Sequence, residues 1–328
     1  MIFAGVLLTQ WIIVTNAGPR PDSLQPERFV MLKRFSARFL RPSTSSNNAT
    51  MITDTKHALV FAFANGSGGG NPSYVLATEL GHGIVADACM AIAAARGYEV
   101  THIEFGALAG EATVRFYSPS GPIAFCGHGS LAAAAWAAAA GRAEQRLTLH
   151  YGAGSIDMYV REGGREIGYL ERAGKVSSLD VDARRLALLQ DALGLCVLNE
   201  QQVKLSVGGA TRTKALIELA VPELLSGVNL CASAADLLCE HLGVTGLYPF
   251  FVVDQTTIRA RHFPKHCSGI EDMATGNIAP TIAQHLIPRA NRCLLIEQGG
   301  SACNVSRLML TPSGQAWQVS GMCRIADA

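Results

Sequence analysis

The stretch FCGHGSLAAAAWAAAAGR, residues 125–142, decides how the fold is read. A cysteine and a histidine set among glycines run straight into alanine-rich text long enough to be a helix. A second stretch far down the chain, EDMATGNIAPTIAQHL at 271–286, repeats the design. Superposed, Cys126-Gly-His-Gly-Ser-Leu-Ala-Ala lies on Met273-Ala-Thr-Gly-Asn-Ile-Ala-Pro, an offset of 147 residues, 273 less 126. That is the signal of an internal duplication. In each copy an extended segment passes through glycine and a capping residue, Ser130 or Asn277, into a helix. Both side chains suit a cap because their oxygens accept unpaired first-turn N–H groups. Pro280 is tolerated early in the second helix, where its missing N–H would have had no partner.

A helix start offers free N–H donors and about half a positive charge, so it binds carboxylate or phosphate. Two of them on one cleft would hold a small anionic substrate. Ser130, Thr275, Gly276 and Asn277 form the expected anion-holding set, with Gly127 and Gly129 beside them, and backbone N–H groups matter more than side chains.

Outward from these helices, short apolar runs alternate with helical text. ALVFAFANGS and SYVLATE read as strands around a glycine-rich turn over 66–72. A helix over ADACMAIAAARGY precedes strands THIEFGAL and ATVRFYSP, whose β-branched and aromatic content suits a sheet. RLTLHYG, GSIDMYVRE and REIGYLER close the first half. The second half repeats the pattern, with a helix near DARRLALLQDALGL, several strands and the helix after Gly276.

At 328 residues the chain has room for two domains of ordinary size. Its 27 basic and 26 acidic side chains leave a net charge of +1, which gives no general attraction to nucleic acid or an anionic membrane. Nine cysteines, odd in number and scattered, show no CxxC pair and no metal-ligand spacing, and read as reduced thiols of a cytoplasmic protein. The apolar part of the opening MIFAGVLLTQWIIVTNAGPRP is too short for a normal span, so no stable membrane association is expected, and 1–55 reads as an N-terminal extension. GSGGG is followed by strand-like text where a dinucleotide fingerprint needs a helix.

The motifs together resemble the diaminopimelate epimerase-like fold, and within it the phenazine-biosynthesis PhzF-like isomerases. GGGNP is similar to that family's Gly-Asn-Pro turn, FYSPSGPIAFCGHGSLAAAA to its first glycine-histidine helix start, IEDMATGNIA to its Glu-Asp-Pro-Ala-Thr-Gly-Ser motif, and IEQGGSACNVSRLML to its closing Gln-Gly region. The resemblance implies an α+β fold of two pseudo-symmetric domains, 56–175 and 176–328. Each would be a curved, mostly antiparallel sheet around a central helix, with the C-terminal strand completing the first. It further implies an isomerase that needs no cofactor, moves a proton on a small carboxylate-containing substrate in the interdomain cleft, and forms a homodimer.

Site residues follow from the same resemblance. Asp272 is the motif aspartate, an acid/base or substrate-orienting group. His128 contacts substrate in the family; the positive field of its helix start should lower its pKa and favour a neutral donor. Superfamily racemases use one thiol from each half. Here Met273 occupies the second position and has no transferable proton, which leaves Cys126 as a single thiol at a helix start. The family's main acid/base is a glutamate in a Ser-Glu-Thr-like segment, where this chain reads EVTHIEF. Counting back from Phe105 puts His102 at that place, with Glu104 two residues on and on the same strand face. Asn71 shapes a turn beside the cleft. Two rival readings stay open: a single-thiol epimerase or dehydratase using Cys126, and a catalytically inert PhzF-like small-molecule-binding protein.

Overall fold

The computed structural model describes residues 56–326 apart from 82, 83, 85, 153, 267, 286–291 and 301–303, all within one compact unit. The extension expected over 1–55 lies outside the described residues. The first half runs β1 (Lys56–Asn65), β2 (Gly68–Glu79), α1 (Ala86–Arg96), β3 (Glu99–Phe105), β4 (Glu111–Ser118), β5 (Gly121–Ile123), α2 (Gly127–Ala139), β6 (Arg146–Tyr151), β7 (Gly154–Arg161) and β8 (Glu166–Glu171). The second continues with β9 (Lys175–Leu179), α3 (Ala183–Leu193), β10 (Val203–Gly209), β11 (Lys214–Leu219), α4 (Pro222–Gly227), α5 (Ala232–Leu242), β12 (Gly246–Val252), β13 (Thr257–Ala260) and β14 (Phe263–Pro264). It ends with α6 (Ala279–His285), β15 (Leu294–Gln298), β16 (Ser306–Ser313) and β17 (Ala316–Ala326). Among the described residues no helix is long and apolar enough to cross a membrane.

Strand pairing closes on itself. β1 pairs with β2 and β17, β2 with β3, β3 with β4, β4 with β6, β6 with β7, β7 with β8, and β8 with β17. Following these partners gives a ring of eight strands with no free edge along it. The last strand of the chain is the link between β1 and β8, so the ring needs both ends of the described sequence. α2 runs inside, against β1, β2, β3, β7, β8 and β17.

The alanine run now has a physical reason. A helix apolar all round must be buried on every side, and Leu131 through Ala135 are at most 1% exposed. An eight-stranded ring leaves little interior space, so a helix fits there only when most of its side chains are methyl-sized. Ala133→Leu should therefore destabilise the protein by about 3 kcal/mol through overpacking, read as a fall in the midpoint of urea unfolding. In the second half α6 packs on β9, β16 and β17, and its Ile282 belongs to the same continuous core as Leu131. A separate core joins α3, α4 and α5 to β10, β11 and β12.

Two boundaries differ from those read in the sequence, and both matter for the site. The turn after β1 is only Gly66–Ser67, and β2 starts at Gly68, which places Asn71 and Pro72 inside a strand. The glycines serve a close approach instead of a long turn: Gly69 has φ +60°, and a Cβ there would lie 2.0 Å from the carbonyl oxygen of Val305. β3 starts at Glu99, two residues before the expected Thr101.

Candidate functional site

The first helix start is capped by Cys126, not Ser130. Its backbone is extended, and its sulfur accepts from the Gly129 N–H at 3.4 Å. The N–H and the hydroxyl of Ser130 both donate to the Cys126 carbonyl at 2.9 Å, and Ser130 is fully buried, so it has nothing left for a ligand. Gly129 is likewise a packing residue, since a Cβ there would lie 2.6 Å from Thr101 Oγ1. The N–H groups of Gly127 and His128 have no backbone partner among the described residues and remain available.

The second start is held by a buried polar network. Asp272 Oδ2 accepts from Thr275 Oγ1 at 2.8 Å and lies 2.9 Å from His262 Nδ1, while its Oδ1 accepts from Asn71 Nδ2 at 2.5 Å. Gln298, fully buried in β15, donates to the Asp272 carbonyl at 2.6 Å and to Thr275 Oγ1 at 3.0 Å, and accepts from Tyr248 and from the Thr275 N–H. Thr275 thus spends both polar groups inside the network, which removes it from the anion-holding set. Asn277 does not cap a helix at once, because α6 begins only at Ala279. Burial works to raise the Asp272 pKa, but His262, His128 and Thr275 prevail and hold it at about 2. Asp272 is therefore a fixed anion with its lone pairs occupied, suited to orienting neighbours and unsuited to delivering protons. His262 is pulled the other way, mainly by burial, which favours its neutral form.

The two starts meet. Asn71 Nδ2, besides Asp272, lies 3.2 Å from the Ala274 carbonyl and 3.3 Å from His128 Nδ1, so one amide from β2 touches both. Tyr169 of β8 lies against both glycines, Gly127 and Gly276. The other face of the His128 ring meets a residue the sequence reading passed over: Glu99, whose carboxylate stands 3.6 Å from Nε2. Burial alone would pull His128 down, yet the sulfur of Cys126 and the carboxylate of Glu99 push it well up. The helix-start field expected to keep this ring neutral is outweighed. Glu99 is lowered in turn: burial opposes, but His128 prevails. Both shifts favour the ionised pair, a carboxylate facing an imidazolium.

His102 and Glu104 stand elsewhere, and strand parity explains why. Along β3, Ile103 and Phe105 belong to the core around α2, and Thr101 meets Gly129 of that helix. Val100 packs with Cys89 and Ala93 of α1 on the opposite face. Period-2 alternation puts Glu99 with Thr101, and His102 with Val100. The register with β2 and β4 shows no bulge that could turn Glu104 around. His102 is fully buried with Nε2 2.8 Å from Thr78 Oγ1. Glu104 accepts from Arg115 at 3.1 Å and from the Gly81 N–H at 3.2 Å. Neither belongs to the cluster of His128, Asn71 and Asp272.

Glu99 was legible in one respect, as the first residue of a strand following the helix-ending Gly97, and its parity with Thr101 could be counted. Gln298 is the glutamine of the Gln-Gly stretch noted in the sequence, though nothing local gave it a place in the site, and His262 and Tyr169 carried no local signal. Each is one polar residue in strand-like text, and only the pairing of distant strands brings it here.

A family model described as phenazine biosynthesis-like protein matches residues 60–322. No curated protein matches the chain. Among solved structures, it is similar to the Bacillus anthracis phenazine biosynthesis protein of the PhzF family, at 17% identity, with 84% of this chain and 98% of that chain covered and a TM-score of 0.69. A predicted epimerase from Pseudomonas aeruginosa gives the same identity, coverage and TM-score. A probable proline racemase from Agrobacterium radiobacter with bound carbonate matches at 12% identity over 84% of this chain and 93% of that one, with a TM-score of 0.50. At such identities the likeness speaks for the fold, a mixed α+β architecture of the diaminopimelate epimerase-like type. Because the family match runs from β1 to β17 and takes in both helix starts, the chain belongs to the phenazine biosynthesis-like (PhzF) family.

Proposed function

We propose that this protein is an isomerase that moves a proton on a small carboxylate-containing substrate without a cofactor, with Glu99 as the base. The observation that carries the reading is the Glu99–His128 contact at 3.6 Å in the same cluster as Asn71 and Asp272. The free N–H groups of Gly127 and His128 offer a seat for the substrate carboxylate. Carbonate bound in the racemase relative is in keeping with a small oxyanion ligand. Glu99, held ionised, takes the proton from carbon; the electron pair passes into the substrate's π system, and the His128 imidazolium faces the charge that develops. Glu99 then returns the proton, or His128 gives up its own, at another carbon or on the other face. Asp272 transfers nothing and instead holds Asn71 in place, and its negative charge favours the nearby His128 imidazolium. Water must be excluded while the carbanion-like species exists.

The inert reading drew on the lack of a glutamate at the expected place, and Glu99 favours catalysis instead. The single-thiol reading has Cys126 in its favour, buried beside His128, but the sulfur lies 3.5 Å from both ring nitrogens at once. An atom equidistant from both cannot lie along either N–H axis, so His128 is poorly placed to take its proton. The test is incubation with candidate amino and dihydroaromatic acids in deuterated water, read by proton NMR as deuterium entering carbon. Cys126→Ser should keep that exchange within about tenfold of the parent. Abolished exchange in Cys126→Ser would instead establish the thiol as the base. No exchange with any acid that binds would remove the isomerase reading. We also propose 56–175 and 176–328 as the two halves of the catalytic unit, working as a cytoplasmic homodimer.

A further inference from the structure

We propose that the hydroxyl of Tyr169 donates a hydrogen bond to the ligand's carboxylate, completing the seat begun by the Gly127 and His128 amides; this rests on the carboxylate-binding reading above. Tyr169 sits in the middle of β8, paired with Met158 of β7 and Val319 of β17, and is fully buried inside the ring. Its hydroxyl reaches the place where the two helix starts face each other. A Cβ added at Gly127 would lie 2.9 Å from that oxygen, and one added at Gly276 would lie 2.5 Å from it. The glycines of the duplicated motif are thus the residues that let a tyrosine oxygen stand between the two starts.

That oxygen has no hydrogen-bond partner among the described residues. Buried tyrosine hydroxyls normally have one. A phenylalanine would fill the same space without an unpaired polar atom, so packing accounts for the ring and leaves the hydroxyl unexplained. Burial pushes its pKa far up, which keeps the proton in place and the group a donor. The neighbouring Gly127 and His128 amides are donors too, and the buried Oδ1 of Asn277, next to Gly276, is likewise without a partner among the described residues and so makes no bond to the hydroxyl. What the three donors lack is an acceptor, and a ligand carboxylate supplies one with lone pairs for all three.

Titration calorimetry on the full chain tests this with acetate, benzoate and 2-aminobenzoate as probes and benzamide as the uncharged control. Tyr169→Phe should bind the carboxylates roughly tenfold to a hundredfold more weakly, leave any benzamide binding unchanged, and melt at the same temperature as the parent or higher. Unchanged carboxylate affinity would overturn the proposal, and a lower melting point beside it would assign the hydroxyl a structural partner. If the parent binds none of the carboxylates, the proposal falls with the seat. Proton transfer would still be judged separately, by deuterium exchange.

Discussion

Glu99→Gln should abolish most of the proposed proton transfer: exchange of substrate carbon-bound hydrogen with deuterated water is expected to fall by about 10²- to 10⁴-fold, the usual contribution of a positioned general base. The substitution keeps the side chain's shape and removes only its basicity. Glu99 is partly exposed, with 29% of its side chain accessible, so the fold should tolerate the change and circular dichroism should match the parent. Glu104→Gln is the matched control, altering a carboxylate five residues along the same strand but on the α1 face, and it should leave exchange unchanged. If the two variants behaved alike, Glu99 would not be the base. The pH profile follows from the two shifts. Glu99 is lowered, so the basic form survives into acid and the rate drops only below the ordinary carboxylate range. His128 is raised, so its proton is lost, and the rate falls, only above the ordinary imidazole range. The expected profile is a bell broader than two unperturbed groups would give.

Asp272→Ala has the largest expected effect on stability. Removing that carboxylate leaves the donors of Asn71, Thr275 and His262 buried without their anion. Breaking a buried pair in this way costs about 3 kcal/mol or more, measured as a lower midpoint in urea, and turnover should fall with it because Asn71 no longer holds its place beside His128. The acid dependence provides a second readout. The folded pKa of about 2 lies below the ordinary 3.8, so the carboxylate's contribution is complete above about pH 4 and is lost as the pH falls towards 2. In the variant this part of the acid unfolding curve should flatten. An Asp272→Ala protein as stable as the parent, with the same acid limb, would mean that the network does not hold the second helix start.

By itself, the sequence determined the central elements. Two glycine-led helix starts 147 residues apart, one opening an alanine run, could be read without any contact map, because capping, glycine conformation and helix period are local properties. Asp272, His128, Asn71 and Cys126 were singled out by the family resemblance of the short motifs that contain them, and the structure brings the four together. Tertiary structure decided which carboxylate counts. Glu99 and Glu104 differ only in strand parity, and parity acquires meaning only when one face of β3 meets α2 and the other meets α1. It also decided that Ser130 and Thr275, good anion binders on local grounds, spend their polar groups inside the protein, since burial forces each to pair with whatever neighbour the fold brings. Tyr169 from β8, Gln298 from β15 and His262 from the link between β13 and β14 come to the helix starts from separate parts of the chain. Strand pairing over long sequence distances, which no local pattern encodes, sets their positions.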